Sequence, residues 1–149
     1  MELDDTDREI LRILQADART PFSEVAREID MSSATVHDRV QRMKEAGVIR
    51  GYHADVDPKA VGLGTSAIVG LRVEQGQEAE AIERLTDIEG VQEVNLTTGE
   101  WDVVLRVYAE DTDALRELMF DNVAQMEGFA RSQTMVVLGT PYESHELPL

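Results

Sequence analysis

The basic side chains of this sequence are concentrated in one stretch, residues 31–50. Four basic residues there outnumber two acidic ones, which gives the stretch a formal charge of +2 in a chain whose formal charge is -16. The four are Arg39, Arg42, Lys44 and Arg50. Arginine and lysine can neutralise phosphate groups, whereas the acidic remainder of the chain repels a polyanion. The stretch therefore indicates a surface that contacts a nucleic acid backbone.

Catalytic and metal-binding chemistry finds little support. Cysteine is absent, the three histidines are scattered, and HExxH, GxSxG and glycine-rich phosphate-loop motifs are missing. The nearest approach to a metal site is the alternation of His53, Asp55 and Asp57, which could instead be the solvated face of a strand. We favour the second interpretation and predict a protein that is not an enzyme and has no metal and no cofactor.

The composition limits where the chain can function. Hydrophobic residues make up 42% of it, enough for a core, while the acidic N-terminus has no apolar signal region and no run of eighteen apolar residues occurs. The absence of cysteine is compatible with a reducing compartment. We therefore expect a soluble, cytoplasmic protein without a membrane partner.

Lysine is scarce among the charged residues. Only Lys44 and Lys59 are lysine, against twelve arginines and thirty acidic residues. An acidic, lysine-poor surface is typical of proteins from extreme halophiles, where molar salt shortens the Debye length to about 3 Å. The alternative is an ordinary acidic protein; the composition favours a halophilic origin.

The elements that carry the basic stretch are predicted to be helices. Ile10, Leu11 and Leu14 follow helical spacing in a first helix whose first turn is acidic. In a short second helix, we predict Thr20 as the N-cap and Pro21 as the first helical residue.

A third helix covers most of the basic stretch. It is expected to begin after the N-cap Ser32 and to stop near Gly47, with Val36, Val40 and Met43 facing inward. The outward residues are then Ser33, His37, Arg39, Gln41 and Arg42. Two short helices joined by a tight turn predict a helix-turn-helix whose second member enters a DNA major groove; a plain three-helix bundle is the alternative.

The DNA contacts follow from position on this third helix. Residues near its start should approach bases, and the later arginines should approach phosphates. Ser32 acts as the helix cap, and Arg50 is expected to contact phosphate from a wing. The predicted DNA-binding residues are Ser32, Ser33, Thr35, His37, Arg39, Arg42 and Arg50.

The rest of the chain predicts a second domain. Residues 1–50 form the helix-turn-helix, 51–64 a strand and linker, 65–140 a domain ordered strand, helix, strand, strand, helix, strand, and 141–149 a tail. Two crossover helices around a central hairpin give the ferredoxin-like split arrangement, so the fold class is α+β. The predicted strands are apolar on both faces and two helices cover only one, so we expect a homodimer unless helices and linker bury more of the sheet.

The sequence resembles the Lrp/AsnC, or leucine-responsive (feast/famine), family of transcription regulators from Leu3 to Leu138. The resemblance rests on four segments in the family's order and spacing: "LDDTDREILRILQADART", "FSEVAREIDMSSATVHDRVQRMKEAGVIRGYHADVDPKAVGLG", "IEGVQEVNLTTGEWDVVLRV" and "MEGFARSQTMVVL". It implies a winged helix-turn-helix, a C-terminal amino-acid-sensing domain, and dimers that associate into tetramers or octamers. Two departures are Asp30, where glycine is common but aspartate tolerates the left-handed region, and Trp101, where tyrosine is frequent.

The resemblance also implies a binding site for an amino-acid effector around "TTGEWD" and "RSQT". Asp102 would meet the ammonium group, and the amides of Thr98, Gly99 and Glu100 would meet the carboxylate. The effector residues implied in this way are Thr98, Gly99, Glu100, Trp101, Asp102, Ser132, Gln133 and Thr134. Without the resemblance, the preferred interpretation of the segment is a tight turn with a solvated acid and with Trp101 packed on the sheet.

The expected function is a sequence-specific DNA-binding transcription regulator whose assembly or DNA binding responds to an amino acid. The alternative is an amino-acid-sensing oligomer that acts on partner proteins without binding DNA.

Overall fold

The computed structural model describes residues 1–74, 76–125 and 127–149, and it divides into two compact units. The N-terminal unit comprises Met1–Ala54 together with Tyr142–Leu149, and the C-terminal unit comprises Asp55–Pro141. The predicted tail therefore belongs to the N-terminal unit.

Three helices form the N-terminal unit: α1 (Asp5–Ala16), α2 (Phe22–Glu28) and α3 (Ser33–Glu45). They share a core of buried residues, which removes their apolar faces from water. The core consists of Ile10, Leu11, Leu14, Val25, Ala26, Val36, Val40 and Met43. The inward residues predicted for the third helix are all in it.

The helix starts follow the predicted caps in α3 but not in α2. The Ser32 hydroxyl accepts a hydrogen bond from the Thr35 N–H, as an N-cap should. In α2 the predicted N-cap is wrong by one residue: Pro21 has extended dihedrals and occupies the cap position. The Thr20 hydroxyl instead donates to the carbonyl oxygen of Asp17, so it is engaged in the preceding turn.

The turn between α2 and α3 depends on Asp30. This residue has φ = 53°, in the left-handed region, which confirms the interpretation of aspartate in a position where the family commonly has glycine. The following Met31 N–H donates to the Ala26 carbonyl oxygen at 2.8 Å and closes the end of α2.

Arg39 does not point outward as predicted. Its Nη1 donates to Asp4 Oδ2 at 2.7 Å and to Asp7 Oδ1 at 2.8 Å, so its side chain is only 20% exposed. The Asp7 side chain is 2% exposed, and a carboxylate so far from water requires a cation. The sequence placed Asp7 among ordinary first-turn acids, which is why the pairing was missed. Arg39 thus connects α3 to the start of α1.

The C-terminal unit has the predicted order of elements, and the α+β class is confirmed. A 3-10 turn at Pro58–Val61 precedes β1 (Thr65–Val73), α4 (Glu78–Thr86), β2 (Val91–Leu96), β3 (Val103–Ala109), α5 (Thr112–Glu117) with a π-helical turn at Leu118–Val123, and β4 (Phe129–Val136). The antiparallel sheet has the order β2-β3-β1-β4. In this split arrangement, α4 and α5 are the two crossover helices.

The strand predicted within residues 51–64 is absent from the described structure. Residues 51–57 have no strand assignment, and Asp57 accepts a hydrogen bond from the Lys59 N–H at the start of the 3-10 turn. Pro58 has no N–H to donate to a ladder, which opposes a strand at this point.

The helices cover one face of the sheet. On that face Val69, Leu71 and Leu105 are fully buried and pack in one cluster with Leu85 and Leu115 from the helices. The opposite face, which we call the open face, carries the side chains of Ile68, Val104, Tyr108 and Met135 according to the strand register. Of these, Met135 is 43% exposed and the others are half-buried. The open face therefore keeps apolar surface that the described helices leave uncovered.

The two neighbouring arginines of α3 should differ in their effect on stability. Arg39→Ala leaves the Asp7 carboxylate buried without its cation, so we expect the free energy of unfolding to fall by about 3–5 kcal/mol. Arg42→Ala is the matched control, because that side chain is exposed, and it should change stability by less than about 0.5 kcal/mol. Urea denaturation of both variants measures the difference; equal stabilities would contradict a structural role for Arg39.

The same ion pair gives a pH dependence through Asp4. The guanidinium of Arg39, followed by the N–H of Asp7, lowers the pKa of the Asp4 carboxyl below its ordinary 3.8. Its stabilising effect is therefore present above pH 3.8 and is lost as the pH falls through the lowered pKa. Asp4→Asn keeps an N-cap acceptor but not the charge. The stability gap between wild type and Asp4→Asn should shrink at pH 3 relative to pH 7, measured by thermal unfolding; a constant gap would argue against the pairing.

Candidate functional sites

The exposed surface of α3 has two flanks and a centre. Helix geometry places successive residues about 100° apart, so His37 and Arg42 lie about 140° apart around the axis. The predicted DNA face is therefore not a single strip. One flank carries Ser33, His37, Gln41 and Lys44; the other carries Thr35 and Arg42; Ala34, Asp38 and Glu45 lie between them.

The first flank is exposed and polar. The His37 and Phe22 rings are close to perpendicular, with their centroids 6.0 Å apart, while the His37 side chain stays largely exposed. The Gln41 amide donates to Glu45 at 2.9 Å, an i,i+4 contact along the helix. This flank presents donors and acceptors near its start and the Lys44 ammonium near its end.

The second flank carries an unpaired guanidinium. Arg42 is exposed, and neither it nor Arg50 forms an ion pair with another residue of the described chain. The Thr35 and Ser32 hydroxyls lie 2.8 Å apart, so both are engaged at the helix start. Arg42 and Arg50 are therefore free to contact a phosphate, whereas Arg39 is already neutralised by two carboxylates.

Asp38 occupies the centre of this surface, and the sequence prediction did not include it. Its side chain is 83% exposed and lies 3.5 Å from the His37 Nδ1. An acidic side chain repels phosphate but can accept a hydrogen bond from the cytosine amino group in a major groove. Its position opposite the inward Val36 and Val40 was the signal that would have identified it.

The hairpin predicted to bind an effector joins β2 to β3 in the C-terminal unit. The Thr97 N–H donates to the Asp102 carbonyl oxygen at 3.0 Å, and the Thr97 hydroxyl donates to the Trp101 carbonyl oxygen. Gly99 has φ = 119°, a conformation that side chains rarely adopt. Thr98 and Glu100 flank it at exposed positions.

The indole of Trp101 lies directly over Gly70 of β1. A Cβ atom on Gly70 would come within 2.5 Å of the indole, so only glycine permits this approach. The Arg131 guanidinium of β4 lies 5.0 Å from the indole centroid, within the range of a cation–π contact, and 3.6 Å from the Glu100 carboxylate. The sequence prediction included neither Gly70 nor Arg131.

Asp102 is already paired. One carboxylate oxygen accepts from Arg72 Nη1 at 2.8 Å, and the other accepts from the Val73 N–H at 3.0 Å. The Val73 N–H and then the Arg72 guanidinium lower the pKa of the Asp102 carboxyl, so it is ionised at neutral pH. Both side chains of the ion pair remain partly exposed. A ligand ammonium would have to share or replace Arg72.

The three residues predicted on β4 do not share one face. Gln133 pairs with Gly70 and lies on the same face as Trp101, which is the open face. Ser132 and Thr134 pair with Leu71 and Val69, whose side chains point to the helix-covered face. The alternation of a strand separates them, since successive side chains point to opposite faces. Of the three, Gln133 is the one that the register brings to the hairpin.

Metal-ligating residues do not gather in the described chain. Within residues 1–74, 76–125 and 127–149, no three His, Asp or Glu side chains form a group that could hold a metal ion. Among those same residues no helix has the length and apolarity that spanning a bilayer would require.

Two protein families match the chain, one in each half. The family described as winged helix-turn-helix DNA-binding matches residues 3–50, and the family described as Lrp/AsnC ligand binding domain matches residues 66–147. The first match contains all of α3, and the second contains the hairpin and its neighbours.

Whole-length relatives agree with these two matches. The HTH-type transcriptional regulator FL11 of Pyrococcus abyssi is 34% identical over 149 residues, covering 100% of this chain and 98% of the relative. The regulatory protein AsnC of Escherichia coli K12 is 31% identical over 140 residues, covering 93% of this chain and 92% of the relative.

Solved structures have the same fold. The structure of E. coli AsnC superposes with a TM-score of 0.92 at 30% identity, covering 99% of this chain and all of that one. A transcriptional regulator from Neisseria meningitidis, solved as a complex with L-Met, superposes with a TM-score of 0.91 at 26% identity, covering 99% and 97% of the two chains. The chain belongs to the Lrp/AsnC family of transcriptional regulators.

Proposed function

We propose that this protein is a sequence-specific DNA-binding transcription regulator whose DNA binding or assembly responds to a small amino acid. The observation that carries the proposal is the exposed surface of α3, which presents polar side chains at its start and unpaired cations at its end. The intact helix-turn-helix argues against a sensor that acts only on partner proteins. A transcription regulator must have access to DNA, which supports a cytoplasmic location.

The two flanks of α3 fit the two walls of a major groove. Lys44 on one flank and Arg42 on the other would each meet a phosphate strand. Asp38 at the centre, and Ser33 and Thr35 at the start of the helix, would approach the base edges. Ser32 holds the helix start, and Arg50 adds a phosphate contact from beyond α3. Arg39 is left out of this proposed interface, because its guanidinium is committed to Asp4 and Asp7.

Substitutions on α3 should separate affinity from specificity. Arg42→Ala should weaken binding to operator and unrelated DNA by the same factor, since a phosphate contact carries no sequence information. Ser33→Ala and Asp38→Ala should change binding unevenly across operator variants, with about 1–3 kcal/mol at the affected base pair. Fluorescence anisotropy with a panel of single-base operator variants measures both effects; a uniform loss for all three variants would contradict the assignment.

The Arg72–Asp102 pair supports a receptor for a zwitterion. A free amino acid carries one ammonium and one carboxylate, so it can exchange this single pair for two: its ammonium with Asp102 and its carboxylate with Arg72. The exchange costs little, because an ion pair in contact with water contributes little net stability. The amides of Thr98, Gly99 and Glu100 remain available to the carboxylate as an alternative partner.

Removing the charge of Asp102 should weaken effector binding. Asp102→Asn keeps the size of the side chain but cannot neutralise an ammonium, so we expect affinity for the active amino acid to fall about tenfold or more. Glu100→Gln is the matched control, and its affinity should stay within about threefold. Isothermal titration first identifies the active amino acid with wild type. If Asp102→Asn then binds as tightly as wild type, the site lies elsewhere.

The open face of the sheet supports assembly. Its apolar side chains, Ile68, Val104, Tyr108 and Met135, would be removed from water by a second copy of the chain, which gives a homodimer. Further association into tetramers or octamers would bring the β2–β3 hairpins of neighbouring dimers together. An effector bound at such a junction favours the assembled state and shifts its population.

The charge composition supports a protein that works in concentrated salt. Thirty acidic residues against fourteen basic ones give a surface whose self-repulsion is screened only at high ionic strength. Few cations are free for phosphate, because Arg39 is neutralised internally. This is the surface expected of a halophilic protein.

Operator affinity should therefore depend weakly on salt. Each phosphate neutralised contributes about -0.9 to the slope of log affinity against log salt, and repulsion by the acidic surface opposes binding most at low salt. Between about 0.5 and about 2 M KCl we expect a shallow or reversed slope. Anisotropy titrations with operator DNA across this range provide the measurement. A steep loss of affinity would rule out adaptation to high salt.

A further inference from the structure

The outer surface of α1 holds a segment that arrives from the far end of the sequence. Residues 142–149 belong to the same compact unit as α1, although residues 55–141 form the other unit. The chain therefore passes between the two units twice, once near residue 54 and again near residue 141. At the second passage, residues 142–149 connect the N-terminal unit to the C-terminal unit in addition to the linker near residue 54.

Two side chains of α1 grip the backbone of this segment. The Gln15 amide accepts a hydrogen bond from the Leu147 N–H at 2.7 Å and donates to the Leu147 carbonyl oxygen at 3.3 Å. Arg12 Nε donates to the carbonyl oxygen of Leu149 at 2.7 Å. Arg12 and Gln15 are three residues apart and share one face of the helix. All three bonds go to main-chain groups, so they select an extended segment in a fixed register.

The attachment has one apolar anchor and is otherwise exposed. Leu149 is half-buried and packs against the core cluster of the N-terminal unit. Leu147 and Tyr142 remain largely exposed, and the three hydrogen bonds lie at exposed positions. Hydrogen bonds in contact with water contribute little net stability, because water replaces them when they open. The segment is thus held in register but is easily released.

We propose that residues 142–149 form a releasable strap on α1, through which the C-terminal unit restrains the DNA-binding unit of the same chain. The α1 helix is a suitable point of attachment, because its N-terminal Asp7 holds Arg39 of α3. A restraint applied at Gln15 therefore reaches the recognition helix through one rigid element and one buried ion pair. What the strap controls rests on the proposed function: it passes the state of the amino-acid sensor to the DNA-binding surface.

Docking can be tested with introduced cysteines, because the chain has none of its own that would react. The double variant Ala16→Cys/Leu147→Cys keeps Gln15 and the main-chain groups of Leu147. Treated with a short bismaleimide, it should give in high yield a single chain in which the linker joins residues 16 and 147, identified by peptide mass mapping. The two single-cysteine variants are the controls and should give no such product. No cross-link in the double variant, or a product with the mass of two chains only, would overturn docking on the same chain.

Regulation is tested by the ratio of operator affinities with and without the active amino acid. If the strap regulates DNA binding, this ratio should move toward one in two variants. In Gln15→Ala the strap is released, and in the cross-linked double variant it is locked. Gln92→Ala, an exposed glutamine on β2, is the control and should keep the wild-type ratio. Wild-type ratios in both strap variants would overturn the regulatory role.

The two proposals fail in different ways. If wild type binds no operator DNA, the proposed function and the regulatory role of the strap fall together, while the cross-link still decides whether the segment docks on α1. If wild type binds DNA and responds to an amino acid but the strap variants respond equally, only the strap is wrong.

Discussion

A carboxylate removed from water must be neutralised where it lies, and in the N-terminal unit this constraint applies to Asp7. Arg39 meets it, and the same guanidinium also binds Asp4, the N-cap of α1. The pairing fixes the recognition helix against α1 with charge-assisted bonds that are short and directional. It also removes one of the four cations of the basic stretch from any contact with phosphate.

The pairing of Arg39 with two carboxylates limits the cations that are available at the proposed DNA-binding surface. With Arg39 committed to the fold, Arg42, Lys44 and Arg50 are the cations of residues 31–50 left for phosphate, and Asp38 opposes them at the centre of α3. In the proposed DNA interface, such a surface would gain little affinity from charge, and discrimination would come from hydrogen bonds to base edges. The ion pair of Arg39 and a recognition surface with few free cations are thus two parts of one arrangement in a strongly acidic chain.

In the C-terminal unit, the β2–β3 hairpin carries both a packed aromatic side chain and an ion pair. The sheet buries one face under helices and leaves the other open, and the Trp101 indole lies on the open face because Gly70 gives it room. Beside it, the partly exposed Arg72–Asp102 pair offers both charges that a zwitterion needs. Ligand recognition and assembly would then share one surface, which makes coupling between them a direct consequence of geometry.

The sequence predicted the elements well, because local signals determine them. Apolar periodicity located the three helices, and Ser32 marked the start of α3. The sequence of strand, helix, strand, strand, helix, strand indicated the split arrangement. Pairings between distant residues had no such local signal. The partners lie far apart in the sequence: 32 positions separate Asp7 from Arg39, 30 separate Arg72 from Asp102, and 132 separate Gln15 from Leu147. Each looked like an ordinary surface residue in its own segment, and only the folded chain brings the partners together.

Sequence-specific DNA binding controlled by an amino acid is tested most directly by selecting sequences from random duplex DNA with the purified protein. The selection is repeated with each amino acid present in turn, in concentrated KCl. We expect one enriched motif and an amino acid that changes the affinity of the protein for that motif. Recovery of unenriched DNA under every condition would show that the protein does not have this function.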